Sequence, residues 1–254
     1  MITFGAGTDI NADDFGRNEQ VAKAILECLR RGLVSRTTMM VGMPYADEAA
    51  AMAKDAGFAG SIGLHLNFTE GKPLTPEMSE SRFCTDGEFN LMRDLRSKVR
   101  PFDRATASAL RAETRAQVEK YLGYGFRLGH CDSHHHVHTW LPVAYEVLPI
   151  LADYGFKTVR RPYNVGLGMS PRDILRRVKS LAFSVLASRV KLGTSDWFTG
   201  LAEFAESPCG LSGSLELMAH PDFDSSGTIV DVTDFDRGTG KPMEESARIV
   251  EAVR

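Results

Sequence analysis

Segments typical of β-strands and α-helices alternate along most of this 254-residue chain. Helical periodicity, capping residues such as Asn18 and Asp103, and a closing Gly32 predict the helices. Runs rich in Val, Thr and Leu, bounded by turn residues, predict the strands. The predicted helices are 18–31, 47–54 with Asp47 as its cap, 103–122, 142–154, 171–191 and 244–254, and the predicted strands are 33–41, 61–67, 127–133, 157–161 and 212–220. This alternation predicts a parallel sheet covered by helices, either closed into a barrel or left open.

Polar residues at the ends of these strands favour the barrel. They stand at the carboxyl ends of different predicted strands: Asp13 and Asp14, His65, Asp132 with His134, and His220. Strand ends converge on one mouth in a β/α barrel, whereas an open doubly wound sheet gathers only those beside its switch point. The chain also lacks GxGxxG and Walker loops. We therefore predict an α/β protein with one barrel-like domain over 1–254 and a lid loop over 68–101.

Composition excludes several functional classes. The net charge is −3 and no run of Lys or Arg exceeds a pair, which argues against nucleic acid as a partner. The four cysteines lack CxxC spacing, so neither a zinc ribbon nor a disulfide framework is indicated. No membrane partner is expected, because the chain has no apolar run of about 18 residues and its beginning is unlike a secretory signal. A cytoplasmic location follows as the default.

The segment 171–191 is the nearest approach to a membrane signal. It is basic on one side and apolar on the other, with Ile174, Leu175, Val178, Leu181 and Val185 at helical spacing. Such a helix fits binding at a membrane surface, or ordinary packing against a core or a partner subunit. We favour packing.

Five of the seven histidines lie between His130 and His138, in the stretch HCDSHHHVH. In an extended segment Asp132, His134, His136 and His138 would share one face. Catalytic metal sites typically use three protein ligands and leave a position open for water. One histidine from this run, one histidine from another strand and one carboxylate would be enough to form such a three-ligand site.

His65 and the pair Asp13-Asp14 supply those additional groups. His65 ends an apolar strand in the sequence GLHLN. Adjacent carboxylates repel unless a cation or hydrogen-bond donors neutralise them. Neighbours at a strand end face different directions, so one can bind a metal while the other approaches a water. That arrangement suits metal-assisted hydrolysis, in which His220 would be the acid or oxyanion partner, or simply a histidine that caps a strand.

Other residues near these motifs have weaker assignments. Arg160 would hold a sugar hydroxyl or a carboxylate such as Glu216, or would be solvated together with Arg161. Asp132 and His136 would contact the metal ligands, rather than the metal, and fix their orientation.

Four segments in order resemble the YdjC-like carbohydrate deacetylases. The matching sequences are NADDFG (11–16), GLHLNFTEGKPL (63–74), HCDSHHHVH (130–138) and LELMAHP (215–221). The resemblance covers nearly the whole chain and implies a β/α barrel-like fold of about seven parallel strands. It also implies removal of acetyl groups from a small carbohydrate such as a chitooligosaccharide.

The resemblance further implies one divalent metal ion, held by Asp14, His65 and His134, and a general base at Asp13. The family's metal is often given as magnesium, yet an Asp/His/His set suits zinc better by ligand softness, and manganese or cobalt would also fit. The partners implied are an acetylated mono- or oligosaccharide and a second copy in a homodimer. Two features depart from the family pattern. The lead-in FGAGTDI is weakly apolar, which predicts a short or distorted first strand, and the ending at 244–254 predicts incomplete closure at that seam.

Three alternatives remain open. His130-x-Asp132 with a distant histidine matches the facial pattern of non-haem iron oxygenases, although their usual β-helix conflicts with the helices predicted here. A carbohydrate-binding relative without turnover would also fit the fold, yet Asp13 and Asp14 are both present. A phosphoesterase would need more carboxylates at the mouth.

Overall fold

Twelve strands and eight helices are found in the computed structural model, which describes residues 7–93, 99–234 and 239–253. The strands are β1 (Thr8–Phe15), β2 (Arg36–Met39), β3 (Ile62–Leu66), β4 (Cys84–Thr85), β5 (Glu88–Phe89), β6 (His130–Ser133), β7 (Thr158–Val159), β8 (Trp197–Gly200), β9 (Leu215–Ala219), β10 (Pro221–Phe223), β11 (Ile229–Asp234) and β12 (Thr239–Pro242). The helices are α1 (Glu19–Arg31), α2 (Ala46–Asp55), α3 (Pro76–Ser79), α4 (Arg104–Gly123), α5 (Leu141–Asp153), α6 (Pro171–Arg189), α7 (Leu201–Glu206) and α8 (Met243–Val253).

Seven parallel strands form the main sheet, in the order β7-β6-β3-β2-β1-β9-β8. Helices follow most of these strands and cover the outer face, so the predicted α/β barrel-like fold is confirmed as an open half-barrel. A second, three-stranded antiparallel sheet contains β10, β11 and β12. The strands β4 and β5 form a separate hairpin.

The open seam lies elsewhere than predicted. We expected it where the last helix follows the final strand, but β9 pairs with β1 in continuous register from Thr8 to Ala12. The gap is instead between β7 and β8. A few hydrogen bonds bridge it, from Val159 N to Gly193 O (2.9 Å) and from Asn164 N to Phe198 O (3.2 Å). The chain is irregular here because β7 is only two residues long.

The first strand is long rather than short. It spans eight residues and lies at the centre of the sheet, between β2 and β9. Its irregularity is confined to the carboxyl end, where the pairing with β2 shifts register between Ala12 and Phe15. Residues 1–6, which include the first part of the FGAGTDI lead-in, lie outside the described residues.

Capping explains most helix boundaries. The side chain of Asn18 accepts a hydrogen bond from Val21 N (2.9 Å), and α1 ends at Gly32 with φ +68°. Asp103 caps α4 in the same way through Thr106 N (2.9 Å). The prediction that Asp47 caps α2 was wrong, because the helix begins at Ala46 and Tyr45 occupies the cap position. The last predicted residue of α8, Arg254, lies outside the described residues.

Helix α6 packs on one face only. Phe183 and Ala187 are buried, whereas Leu175, Val178 and Leu181 are exposed on the other side. Across the described part of the chain, no helix combines the length and the apolarity needed to span a bilayer.

The two faces of the main sheet differ in chemistry. Ile10 and Ala12 of β1 belong to the apolar core between sheet and helices. The alternate residue Asn11 points into the barrel, where it donates to Thr38 Oγ1 (2.9 Å) and approaches Asp132 Oδ2 (3.4 Å). Barrel interiors are usually filled by branched aliphatic side chains. This one is filled by buried polar and charged groups.

The predicted lid segment is partly anchored to the body of the protein. Glu113 of α4 accepts hydrogen bonds from Leu74 N (3.0 Å) and from Thr75 N and Oγ1 (both 2.9 Å). The segment contains α3 and the β4–β5 hairpin, and residues 94–98 lie outside the described part. A lid function for 68–101 stays a prediction.

Candidate active site

Three side chains from three different elements meet at the mouth of the barrel. Asp14 is near the end of β1, His65 is in β3, and His134 directly follows β6. The Oδ1 atom of Asp14 lies 3.2 Å from Nε2 of His65 and 3.0 Å from Nδ1 of His134. All three residues are buried, and their donor atoms lie within 4.8 Å of one another. The structure therefore brings together the three residues that the resemblance implied as metal ligands.

Consecutive acids on β1 face different partners. Asp14 adopts φ +70°, in the left-handed region, where the pairing with β2 shifts register. This local kink directs its carboxylate toward the two histidines. The carboxylate of Asp13 instead contacts Arg160.

The histidine run does not continue as an extended strand. After Ser133 the chain forms a 3₁₀ turn, and His135 and His136 both adopt φ +54°. The expectation that Asp132, His134, His136 and His138 share one face was therefore wrong. Left-handed residues other than glycine cost about 1–3 kcal/mol each in strain. Here the turn leaves His134 at the mouth and directs His138 Nε2 to Arg160 O (2.8 Å).

A second carboxylate orients each of the two central histidines. Asp132 Oδ1 lies 2.6 Å from Nδ1 of His65, which leaves Nε2 facing Asp14. Glu70 Oε2 lies 3.0 Å from Nε2 of His134, which leaves Nδ1 facing Asp14. Carboxylates placed in this way fix the tautomer and the ring orientation of metal-binding histidines. Sequence reasoning assigned Asp132 such a role but missed Glu70, although Glu70 lies inside the motif GLHLNFTEGKPL.

Arg160 is the centre of a buried ionic network. Its side chain is fully buried, and its Nη1 and Nη2 atoms contact Asp13 Oδ2 (2.5 Å) and Oδ1 (2.8 Å). Nη2 also contacts Asp132 Oδ2 (2.8 Å), and Nε contacts Glu216 Oε1 (2.6 Å). Of the three roles expected for Arg160, binding a carboxylate is observed; the guanidinium is fully buried, so it is not solvated and is not exposed to a sugar hydroxyl in this structure. Arg161 points away and donates to Ser195 O (3.0 Å) near the open seam.

Charge balance leaves room for a cation. Six carboxylates in this network are opposed by three arginines: Asp9, Asp13, Asp14, Glu70, Asp132 and Glu216 by Arg17, Arg36 and Arg160. With neutral imidazoles, the negative charges outnumber the positive ones by three. A buried negative excess is costly unless a positive group balances it. One divalent ion would offset most of this excess.

Asp14, His65 and His134, called the triad below, fit such an ion better than the other clusters of acids and histidines do. Among the described residues, three groups of buried His, Asp and Glu bring donor atoms together. Two of these groups contain Asp132, which is already bound by Arg160. The third group is Asp14, His65 and His134. In it Asp14 Oδ1 and His65 Nε2 are buried and lie 3.2 Å apart, yet neither makes a well-aligned hydrogen bond among the described residues, so donor atoms for a metal site are present.

The ionisation of the histidines follows their neighbours. Burial lowers the pKa of His65, but Asp132 and Asp14 outweigh it and raise that pKa to about 10. Burial likewise raises the pKa of Asp14, but His134 and His65 outweigh it and hold that pKa well below the usual range. Burial lowers the pKa of His135 and of His138 to about 4, so both are neutral at pH 7. In the metal-free protein, protons on the central histidines would take the place of a cation.

The sequence model of the YdjC-like protein family matches residues 9–251. The chain is a YdjC-like protein. This confirms the resemblance seen in the sequence. A carbohydrate deacetylase of Brevibacillus brevis is 31% identical over 212 residues, which cover 84% of this YdjC-like chain and 79% of the relative. A carbohydrate deacetylase of Vibrio cholerae serotype O1 (strain ATCC 39541) is 43% identical over 144 residues, so that match spans about half of each protein, 54% and 53%.

A solved structure shares the fold of this YdjC-like chain. It is a protein of Enterococcus faecalis V583 that is provisionally assigned to cellobiose-phosphate cleavage. The TM-score is 0.67 at 23% identity, and the match covers 96% of this chain and 90% of the other. This likeness supports the half-barrel architecture.

Two cavities adjoin Tyr163 of the YdjC-like protein. The larger, about 550 Å³, is lined by His135, His136, Trp140 and Tyr163 among others. The smaller, about 330 Å³, is lined by Tyr163, His220 and Asp231 among others. The His136 ring contacts Tyr163 and Phe198 edge-on, with centroids 5.5 and 5.7 Å apart, and makes no contact with a triad residue among the contacts described. His136 therefore lies beside the cavity and not against Asp14, His65 or His134.

His220 sits at the end of β9, half-buried in the wall of the smaller cavity. Its backbone N–H donates to Asp231 Oδ1 (2.8 Å), and Asp231 Oδ2 accepts from Ala202 N (3.2 Å). Asp231 thus ties the end of β9 to the start of α7. His220 borders the cavity and is not one of the three residues that converge at the mouth.

Proposed function

We propose that this chain is a metal-dependent hydrolase that removes N-acetyl groups from a small carbohydrate. The observation that carries the proposal is the pair of unsatisfied buried atoms, Asp14 Oδ1 and His65 Nε2, beside His134 Nδ1. The relatives named carbohydrate deacetylases support the reaction class. A divalent ion held by the triad would supply a Lewis acid that polarises an acyl oxygen and makes a nearby water more acidic.

Asp13 is assigned as the general base. Arg160 binds both of its oxygens and Asn11 Nδ2 donates to Oδ1 (2.8 Å), so the carboxylate is held in one orientation. A carboxylate has about four acceptor positions, and these contacts occupy three of them. The remaining position on Oδ2 has no hydrogen bond among those described, and we assign it to the proton of the attacking water. A fixed base of this kind contributes by positioning as well as by proton transfer.

His220 is assigned as the acid that protonates the departing amine. It lines the smaller cavity together with Tyr163, which also borders the larger one. A substrate lying across Tyr163 would contact both cavities and would therefore meet His220. If His220 has only a structural role at the end of β9, replacing it by Gln should not reduce turnover.

The larger cavity is assigned to the sugar. Its wall includes Trp140 and Tyr163, aromatic residues of the kind that pack against the apolar face of a pyranose ring. Its volume of about 550 Å³ is compatible with an acetylated mono- or oligosaccharide, such as a chitooligosaccharide. Glu70 and Thr69, at the start of the predicted lid, contact His134 and His135, so this end of the segment lies beside the histidine turn.

The donor set favours a zinc-like ion. Two imidazoles and one carboxylate are typical of catalytic zinc sites, whereas magnesium prefers oxygen ligands only. Manganese and cobalt would also accept this set. The same set matches the non-haem iron facial pattern, so an oxygenase is the second candidate, although His130-x-Asp132 does not supply it: His130 and Asp132 contact Glu216 and Arg160.

Acetate release from a panel of N-acetylated sugars tests the proposal. Chelated protein is refilled separately with Zn, Mg, Mn, Co or Fe(II), and acetate and oxygen uptake are both measured. We expect acetate release with Zn or Co above that with Mg, and no oxygen uptake. Sugar binding without turnover under every metal would identify a non-catalytic carbohydrate-binding protein and refute the hydrolase.

We also propose a homodimer built on α6, in a cytoplasmic protein. Four exposed aliphatic residues form a stripe with coiled-coil spacing of four, three and four residues: Ile174, Val178, Leu181 and Val185. Four of the five basic residues of α6 lie in its N-terminal half: Arg172, Arg176, Arg177 and Lys179; the fifth, Arg189, ends the helix. An antiparallel copy would place these four beside the partner's C-terminal half, whose dipole end is negative.

Cysteine pairing tests this arrangement. In a Cys209→Ser background, a mixture of the Ile174→Cys and Val185→Cys proteins should cross-link, and neither should cross-link alone. Light scattering should give a dimer for the parent protein and a monomer for Leu181→Glu, with Val99→Glu as the exposed control. A monomeric parent, or a monomer that binds anionic vesicles, would exclude the dimer.

A further inference from the structure

The network around Arg160 extends to the end of the barrel opposite the mouth. Glu216 is the second residue of β9 and pairs with Asp9, near the start of β1. It lines a cavity of about 180 Å³ with Asp9, Arg36 and His130 among others. Strand starts meet at this end, whereas the triad lies at the strand ends. The proposed reaction uses none of these residues.

Glu216 is nevertheless bonded directly to the group that holds the proposed base. Its Oε1 atom lies 2.6 Å from Arg160 Nε, while the two Nη atoms of the same guanidinium hold Asp13. A guanidinium is planar and rigid, so anchoring Nε fixes the directions of both Nη atoms. The orientation of Asp13 therefore depends on where Glu216 is.

Two residues at the same end of the barrel, Arg36 and His130, contact Glu216 in turn. Arg36 Nη2 lies 3.4 Å from Oε2, and His130 Nε2 lies 3.4 Å from Oε1. Arg36 is fixed in turn by Asp9 Oδ2 (2.8 Å), and His130 Nδ1 lies 2.9 Å from the hydroxyl of Thr158. A continuous set of polar contacts thus runs to Asp13 from the 180 Å³ cavity opposite the mouth, called the lower cavity below.

We propose that Glu216 is a positioning residue that aligns Asp13 with the metal-binding triad through Arg160. The end of the barrel opposite the mouth is then part of the catalytic apparatus. Misplacement of a catalytic group by about 1 Å can lower a rate by about 100-fold. Loss of the Nε anchor should therefore reduce kcat and leave sugar binding and metal binding unchanged.

The inference rests on the proposed deacetylase function, so acetate release by the parent protein is measured first. A parent without activity under any metal refutes that function. With an active parent, Glu216→Gln keeps an acceptor for Arg160 Nε, whereas Glu216→Ala removes it. We expect kcat within about 3-fold of the parent for Gln and lower by about 10- to 100-fold for Ala. KM and metal content should stay within about 2-fold in both.

Formate provides a readout that a purely structural role would not move. Glu216→Ala enlarges the lower cavity enough for a small carboxylate to enter. Bound there, the carboxylate can accept the hydrogen bond that Arg160 Nε donates to Glu216 in the parent. Formate should restore at least part of kcat. Leu215→Ala is the matched control, because Leu215 is buried in the same strand and lines the same cavity without contacting Arg160 among the bonds described. Formate should not affect that variant.

Several results would overturn the inference. One is an unchanged kcat in Glu216→Ala. Another is an equal loss in Gln and Ala, or a loss of kcat together with metal content. A fourth is equal stimulation of Leu215→Ala by formate. If Glu216→Ala fails to fold, an unchanged kcat in Arg36→Met, which removes one contact below Glu216, refutes it as well.

Discussion

Replacing Glu70 by Gln tests whether the triad is a metal site and whether its support extends beyond the ligands. Glu70 Oε2 lies 3.0 Å from His134 Nε2, and Oε1 lies 3.0 Å from Arg17 Nε. The Gln side chain has nearly the same shape and keeps one acceptor, but it loses the charge. The hydrogen bond with His134 is the largest cause that lowers the pKa of Glu70, so the carboxylate and the imidazole are coupled.

The expected magnitude follows from this coupling. Replacing a carboxylate that supports a metal-binding histidine typically weakens metal binding by 10- to 100-fold, or about 1.4–2.7 kcal/mol. Glu70→Gln keeps the acceptor, so we expect a loss near 10-fold. Folding stability should change by less than about 1 kcal/mol, because the Glu70 side chain is 31% exposed.

Competition with a chromophoric chelator measures the zinc Kd. Glu80→Gln is the matched control: Glu80 is exposed, belongs to the same segment and makes no side-chain contact among those described. A Kd that changes less than 2-fold in Glu70→Gln, or equally in both variants, would refute the role given to Glu70 and weaken the assignment of His134.

Three further outcomes are expected. Asp13→Asn should abolish acetate release while retaining metal, whereas His134→Ala should lose both, as measured by turnover and metal content. The pKa of His65 is about 10 without metal, so a proton must leave on binding. Metal affinity should therefore rise with pH up to about 10, and calorimetry in buffers of different ionisation enthalpy should detect the released proton. The raised pKa of His65 also stabilises the fold only while the imidazole is protonated. The metal-free protein should therefore lose stability as the pH rises from about 6.5 through 10. Gly63→Ala should destabilise folding by about 1–3 kcal/mol in urea titrations, because a Cβ there would lie 2.8 Å from His130 O.

The fold was largely predictable because its strongest signals are local. Caps at Asn18 and Asp103 set helix starts, and the spacing between turns separated most of the strands. The seam was not predictable in this way. Whether β9 pairs with β1, and whether β7 reaches β8, depends on hydrogen bonds between segments far apart in sequence, which no window of residues contains.

The site was predictable in outline only. Strand ends and motif resemblance selected Asp14, His65 and His134 without any distance. The turn at His135 and His136 was missed because left-handed conformations are signalled in sequence chiefly by glycine. The burial of Arg160 was missed for a different reason: a lone arginine next to another resembles a surface pair until three distant carboxylates converge on it.

The ionic network inside the barrel also constrains the order of assembly during synthesis. Asp13 and Arg160 are separated by 147 positions. Until Arg160 has left the ribosome, the strands that carry Asp13 and Asp132 can come together only by burying two acids without their arginine, at a cost of several kcal/mol per ion. We expect nascent chains that end before Arg160 to remain protease-sensitive, and the barrel to close only after the second half of the chain has emerged.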